Sequence, residues 1–497
     1  MSTNKTERGD SGILGFCLGV CAGYYLLIAG MVQGDFQGDS WEYLGIAGTM
    51  KAGLFELSQY RYLRGLFYPW FLSVTWGKDG VLTYCLQGVL FLAALYVALR
   101  VIGLGRVYGV LVICAAMIPT VAFLQSIIYP DGMLVSLTLL FFAALVRRRW
   151  VACIAVGVVL ALTKVVFGLV LGIALLVFLL EKPGVRSRIP RWSVVGGGIA
   201  LSGALWFAAT YVVTDLGYMT VFARPYWHKI PIERLFPGSE LRVTCGGMPR
   251  TIPTRDLNFR PITGPESTAP TGPLTEDQVK QFGCTRSDIT AIERRLVTEE
   301  WMREPGLQLK LAAAAFAEAL TGGNDFGHVA YMLDLRLESW LGHFDQRSYF
   351  EPNELRLLPE YRKIGFDVMQ NPPLIFRLHR WDLYLELLVR LAAFGAIAGC
   401  TVLAFRRKIL RELREDPGVL GIGAFLVIYS MVVAVSAPLH VYDRYTIVNL
   451  LLGCVLAARM AALTLHRTVV AAEPVVEVSP LPEVPEISRS KAKRRRR

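Results

Sequence analysis

Asp39, Asp131 and Lys164, with the run His440 to Arg444, are the residues of this chain whose types could carry chemistry, and each sits at the edge of a long apolar run. Asp39 opens Asp39-Ser40-Trp41-Glu42-Tyr43-Leu44, just after the first such run. A carboxylate there suits a general base that takes the proton of an acceptor hydroxyl. Asp39 with Glu42 three residues on also has the spacing of a helix cap, and capping and catalysis are not exclusive. Asp131, in the turn Tyr129-Pro130-Asp131-Gly132, reads either as the cap of the next helix or as a polar member of the same site. Lys164 stands between two apolar runs, where a cation is costly unless it faces water or an anion. A lipid phosphate and snorkelling both meet that need. Arg64 precedes Gly65-Leu66-Phe67-Tyr68-Pro69 and can grip a phosphate or snorkel. In Pro438-Leu439-His440-Val441-Tyr442-Asp443-Arg444, the arginine again stands at head-group depth, with Asp443 beside it to neutralise it.

The elements that must position these residues are read from hydropathy. Hydrophobic residues make up 54% of the 497, and mean hydropathy is +0.43. Apolar runs cover Ser11–Met31, Leu82–Ile102, Val107–Gln125, Met133–Val146, Trp150–Leu162, Val165–Leu180, Ser193–Val213, Leu383–Phe405, Val419–Ser436 and Tyr445–Leu465. They predict an all-α polytopic membrane protein with about ten spans, some shorter than the roughly 20 residues a full crossing needs. The first run is long and lacks a small-residue cleavage site, so it is expected to remain as a helix.

Short-loop Lys and Arg set the orientation. Arg100 and Arg106, Arg147-Arg148-Arg149, Lys182 to Arg191, and Arg406 to Arg414 all fall on one side when the N-terminus is cytoplasmic. The C-terminus is then cytoplasmic too. Asp39, Asp131, Lys164 and His440 to Arg444 all land on the opposite side. An acid, several cations and aromatics gathered on one face point to a shared site. Much of the +12 net charge therefore marks orientation, and no nucleic-acid-binding signature accompanies it, so nucleic acid is not expected as a partner.

Residues 1–213 form an N-terminal transmembrane module whose first external loop is 33–80. Within it Tyr43, Ile46, Ala47 and Met50 recur at helical spacing, predicting a short surface helix that follows Asp39. Residues 214–382 form a large external segment. Its middle, Phe236 to Gly283, reads as an irregular loop, and Gly306 to Leu320 as a helix on the surface or packed on the bundle. Residues 383–467 hold the C-terminal spans, and 468–497 form a basic, disordered tail that either meets anionic lipid or fixes orientation. Nine cysteines are present, and seven lie in or near apolar runs. Cys245 and Cys284 share the external segment and form a disulfide pair in an oxidising compartment if their atoms meet. No metal-ligand spacing, phosphate-binding glycine loop or internal repeat is found.

At these residues the chain resembles the GT-C glycosyltransferases, membrane enzymes that use a polyprenyl-phosphate sugar, such as the protein O-mannosyltransferases and lipid A aminoarabinose transferases. The first external loop resembles their pattern of an acid, an aromatic, a short surface helix ending near Gly, and an Arg ahead of Tyr-Pro: here Asp39, Tyr43, Gly53, Arg64 and Tyr68-Pro69. Tyr129-Pro130-Asp131 is similar to the turn before their fourth span, Trp301 to Phe316 to a helix many members carry before a late span, and His440 to Tyr445 to their late Arg-Tyr motif. The chain has Ser40 where many members carry Glu, and Leu66 where many carry Pro.

The resemblance implies a GT-C-like bundle and an inverting transfer from a polyprenyl-phosphate donor to an envelope lipid, glycan or protein acceptor. Asp39 would activate the acceptor hydroxyl. Lys164, Arg444 and Arg64 would hold the donor phosphate as the leaving group departs. Tyr43, Tyr68, Asp131, His440 and Tyr442 would line the substrate site. The expected location is a bacterial inner membrane with the site facing the periplasm. Two other readings stand beside this one: an O-antigen polymerase or ligase type of enzyme, kept open by His228, His328 and His343, and a non-enzymatic lipid or sugar transporter.

Overall fold

The structure, a computed structural model, describes residues 3–32, 40–55, 65–76, 81–102, 106–125, 128–181, 240–253, 281–285, 305–321, 374–406, 409–436 and 443–472, with single positions between 288 and 302. The described residues are mostly helical. The helices are α1 (Thr3–Val32), α2 (Ser40–Lys51), α3 (Phe67–Thr75), α4 (Val81–Ile102), α5 (Arg106–Ala116), α6 (Pro119–Gln125), α7 (Pro130–Val146), α8 (Trp150–Thr163) and α9 (Leu169–Glu181). A 3-10 turn, Val165–Gly168, precedes α9. After a hairpin, β1 (Glu240–Cys245) and β2 (Met248–Pro253), come α10 (Pro305–Thr321), α11 (Leu374–Arg406), α12 (Leu410–Glu415), α13 (Pro417–Ser436) and α14 (Asp443–Ala472).

Four helices among the described residues are long and apolar enough to cross a membrane: α4, α11, α13 and α14. They mark a membrane protein. Helices α7, α8 and α9, like the apolar part of α1, are apolar but shorter. The expected span Ser193–Val213 and the tail from 473 lie outside the described residues. Large apolar side chains are exposed along single helix faces, Val151, Ile154, Val158 and Leu162 on α8 and Leu388, Leu391, Val402 and Phe405 on α11. Such bands match hydrocarbon rather than water.

Helix α7 is the hub. It is apolar on every side and buried nearly throughout, as a helix enclosed by others must be. It packs against α4, α8, α13 and α14. Its end at Val146 and Leu145 meets Gly418 and Gly421 at the start of α13, so α7 and α13 run antiparallel. Asp416 caps α13, accepting from the Val419 amide at 2.9 Å, and its other oxygen accepts from Arg459 of α14 at 2.8 Å. One end of the bundle is thereby fixed. At the other end stand Asp131, at the start of α7, and Ser430, late in α13.

Several expectations are corrected. Val107–Gln125 is not one helix. It breaks at Met117 and Ile118, and Pro119 starts α6; proline lacks the amide proton and clashes with the carbonyl four residues back, but suits a first helical position. The run Val165–Leu180 opens with the 3-10 turn rather than as continuous helix. The C-terminal helices extend beyond the apolar spans they contain: α11 starts at Leu374 and α14 runs on to Ala472, while their membrane-crossing parts are Glu386–Arg406 and Thr446–Thr464. The stretch Phe236–Gly283 is not wholly irregular, nor the fold wholly α. It contains the hairpin, with Cys245 opposite Met248 and the two-residue loop Gly246-Gly247 between. Both glycines have positive φ, +59° and +78°, the conformation that a tight hairpin loop with right-handed twist demands.

That hairpin is stapled. Cys245 and Cys284 form a disulfide. The Gly246 and Thr285 amides donate to Asp288 Oδ2 at 3.0 and 2.8 Å. These donors, Gly246 first, hold the Asp288 carboxyl below the usual range.

Candidate functional site

The candidate site is built on the Asp131 end of the bundle. Helix α2 follows the Asp39 position directly and buries Tyr43, Ile46 and Ala47 of the apolar set expected from the spacing, while Met50, its fourth member, is half-buried. It ends in a Schellman arrangement: the Leu54 amide donates to Thr49 O at 2.9 Å and the Gly53 amide to Met50 O at 3.1 Å. Gly53, with φ +70°, supplies the left-handed residue this stop requires. The α2 face rests on α3, where the Tyr43 ring stands edge-on to Tyr68, 5.3 Å between centroids.

Tyr68 is fully buried and begins a hydrogen-bonded chain. Its hydroxyl donates to Gln87 Oε1 at 2.9 Å. Gln87 Nε2 donates to the Gln125 carbonyl at 3.2 Å, and Gln125 Nε2 to the Gly132 carbonyl at 3.1 Å. Three helices, α3, α4 and α6, are thus pinned to the turn that carries Asp131. Burial first, then nearby Tyr84, Tyr43 and Asp131, push the Tyr68 phenol well above its ordinary value. Tyr68 is a neutral donor here, not an acid.

Lys164 finds its anion inside the protein. Its Nζ lies 3.0 Å from Asp131 Oδ1, with the lysine side chain 26% exposed and the aspartate 4%. Asp131 therefore acts as the partner of Lys164 from the first turn of α7, where a carboxylate also suits the helix dipole. It is not the side-chain cap of that helix: the N-cap is Tyr129, and it makes no side-chain capping bond. Lys164 itself is the extended residue at which α8 stops. Its ammonium is held by Asp131 and its side chain stays part-exposed.

Gly65 brings the first loop to this pair. A Cβ built there would lie 2.2 Å from the Leu162 carbonyl oxygen and 2.3 Å from that of Thr163. Only glycine permits this approach. It sets the backbone next to Arg64 against the backbone next to Lys164.

Asp39, Arg64, His440 and Tyr442 lie outside the described residues. Arg444 stands in the first turn of α14. That turn belongs to the same end of the bundle. Phe167, three residues after Lys164, packs on Tyr429 of α13 with 5.1 Å between centroids. The next residue, Ser430, accepts from Asn449 of α14 at 2.9 Å. Tyr43, Tyr68, Asp131 and Lys164 are thus assembled around the seam of α3, α7 and α8, and the α14 start lies across α13 from them.

The sequence reading missed the buried polar groups Gln87, Gln125, Asn449, Glu386 and Arg390. The last two carry a visible signal, opposite charges at i and i+4 inside an apolar run. Among the described residues no three His, Cys, Asp or Glu side chains gather so as to hold a metal ion. Comparison with protein-family models, curated proteins and solved structures finds no match.

Proposed function

We propose that the protein is a GT-C-type glycosyltransferase that moves a sugar from a polyprenyl-phosphate donor to an envelope lipid, glycan or protein acceptor, with inversion. The observation that carries this reading is the seating of the first loop. Gly65 against Leu162 and Thr163, and Tyr43 against Tyr68, join the loop that holds Asp39 to the part-exposed Asp131–Lys164 pair. A base and a phosphate-binding cation on one bundle end are what a transfer from a lipid-linked donor requires.

In the reaction, Asp39 takes the proton of the acceptor hydroxyl while that oxygen attacks the anomeric carbon. The bond from that carbon to the phosphate oxygen breaks, and polyprenyl phosphate leaves with the electron pair. Lys164, Arg444 and Arg64 take up the charge that develops on it. Asp131 orients the Lys164 ammonium. Tyr43 and Tyr68 hold the first loop in place beneath the cleft, and His440 and Tyr442 line it. The bundle would be completed by further spans to about ten, with both termini cytoplasmic and the site facing the periplasm of a bacterial inner membrane.

The test is made in nanodiscs. Wild type and Asp39→Asn are incubated with a panel of polyprenyl-phosphate sugars and extracted envelope lipids, and release of polyprenyl phosphate is followed by mass spectrometry. Release by wild type that is lost in the folded variant supports the reading. Full release by Asp39→Asn removes Asp39 as the base. No release by a folded, donor-binding wild type refutes the donor class.

A further inference from the structure

Arg390 of α11 is a buried cation within a membrane-crossing helix, 1% exposed, and belongs to none of the contacts described above. Its donors go to three elements. Nε and Nη2 both reach Glu386 Oε1, one turn earlier in α11. Nη1 donates to the Leu320 carbonyl at 3.4 Å and the Thr446 carbonyl at 3.2 Å. Nη2 also donates to Thr446 Oγ1 at 2.8 Å. Beside it, Asn449 donates to the Ala319 carbonyl at 3.0 Å. Ala319 and Leu320 are among the last residues of α10, whose final carbonyls have no partner within their own helix and favour a positive charge.

An ion pair needs only Glu386 and a cation. The additional bonds use the planar fork of a guanidinium, which lysine cannot reproduce. They fasten Thr446, at the end of the first α14 turn, to the end of α10. That turn begins at Asp443 and contains Arg444.

We infer that Arg390 is a positioning residue. Through Thr446 it fixes the first turn of α14, and with it Arg444, and it ties that turn to the end of α10. The inference rests on the donor reading above, in which Arg444 meets the phosphate. Arg390 itself touches no substrate. Its effect is on how well Arg444 is placed.

The experiment uses the full chain in nanodiscs with Arg390→Lys and the milder Thr446→Val, which leaves the Glu386 pair in place. Donor kcat/KM is expected to fall about tenfold in each, the effect of losing one hydrogen bond to a charged group. Amide exchange is expected to quicken at 444–450 and at the end of α10, and not in α7 or α13. A lower melting temperature with donor kcat/KM unchanged would make Arg390 merely structural and overturn the inference. So would exchange that is unchanged or quickened throughout the bundle. If wild type turns over no polyprenyl-phosphate sugar, the donor reading fails. Exchange then decides the clamp alone: quickening confined to the two helix ends in Thr446→Val retains it, and wild-type protection removes it.

Discussion

Gly65→Ala tests the seating of the first loop with one methyl group. The added Cβ would meet three backbone atoms, Leu162 O at 2.2 Å, Thr163 O at 2.3 Å and Thr163 C at 2.4 Å. Ordinary contact begins near 3.4 Å, so the two chains must separate by about 1.2 Å. No flexible side chain can turn away to absorb this. Forcing extra volume into a packed contact costs about 1–3 kcal/mol, and a shift of about 1 Å between reacting groups can cost about 100-fold in rate. The expected result is a folded protein with a lower denaturation midpoint and donor turnover reduced by one to two orders of magnitude. Gly45→Ala is the control. That position lies inside α2 with nothing within 4 Å of a built Cβ, so the change should stabilise by about 0.5–1 kcal/mol. If Gly65→Ala keeps both wild-type stability and wild-type turnover, the loop is not seated at Lys164 and the argument for the shared site collapses.

Lys164→Met leaves Asp131 buried without its partner and should destabilise by about 1–3 kcal/mol, scaled down from a fully buried pair because the lysine is part-exposed; Lys164→Met with Asp131→Asn should recover part of that loss in chemical denaturation, and an additive pair of effects would show that the 3.0 Å contact carries no coupling. Arg148, at the end of α7, has φ +56° in a Schellman stop where the Arg149 amide reaches Ala144 O at 3.0 Å; Arg148→Gly should therefore stabilise by about 1 kcal/mol, and a lower midpoint would show that its charge outweighs the strain. Asp288 has its carboxyl held low by the Gly246 and Thr285 amides, so its contribution is present above the ordinary aspartate range near pH 4 and is lost as pH falls through the lowered native value. Amide exchange at Gly246 and Thr285 should quicken in that acid window in wild type and be quick at all pH values in Asp288→Ala; exchange indifferent to both would remove the staple.

Local elements were the most legible in the sequence. Tyr43, Ile46 and Ala47 share a helical face and Gly53 stops the helix, so α2 could be read from spacing alone. The hairpin carried an equally local signal. Leu241, Val243 and Cys245 alternate with polar residues ahead of Gly246-Gly247, but the surrounding Pro- and Thr-rich composition obscured it. Pro119 likewise announces the break between α5 and α6 within a run whose hydropathy is continuous. The long-range polar contacts had no such signal. Gln87 and Gln125 lie 38 residues apart, and nothing in either neighbourhood says that they meet. The Asp131–Lys164 pair was visible as two charged residues and invisible as a pair, because the pairing follows from the packing of α7 and α8.

That packing also explains where charge is tolerated in an apolar bundle. Arg459 and Thr446 are 13 positions apart on α14, about 20 Å along the axis at 1.5 Å per residue. Asp131 and Val146 on α7 span about 22 Å by the same rise. Both lengths fall short of a hydrocarbon layer of about 30 Å, so a charge at these levels is costly unless a partner satisfies it. At one end Arg459 holds the capping aspartate of α13, a contact that fixes helix register. At the other the pairs differ in kind. Glu386–Arg390 is sealed, with both side chains 1% exposed, whereas the Lys164 side chain is 26% exposed. A sealed pair with every donor used can only hold neighbours in place. Of the ion pairs among the described residues at the Asp131 end, the sealed Glu386–Arg390 pair is therefore the one that sets the geometry around it.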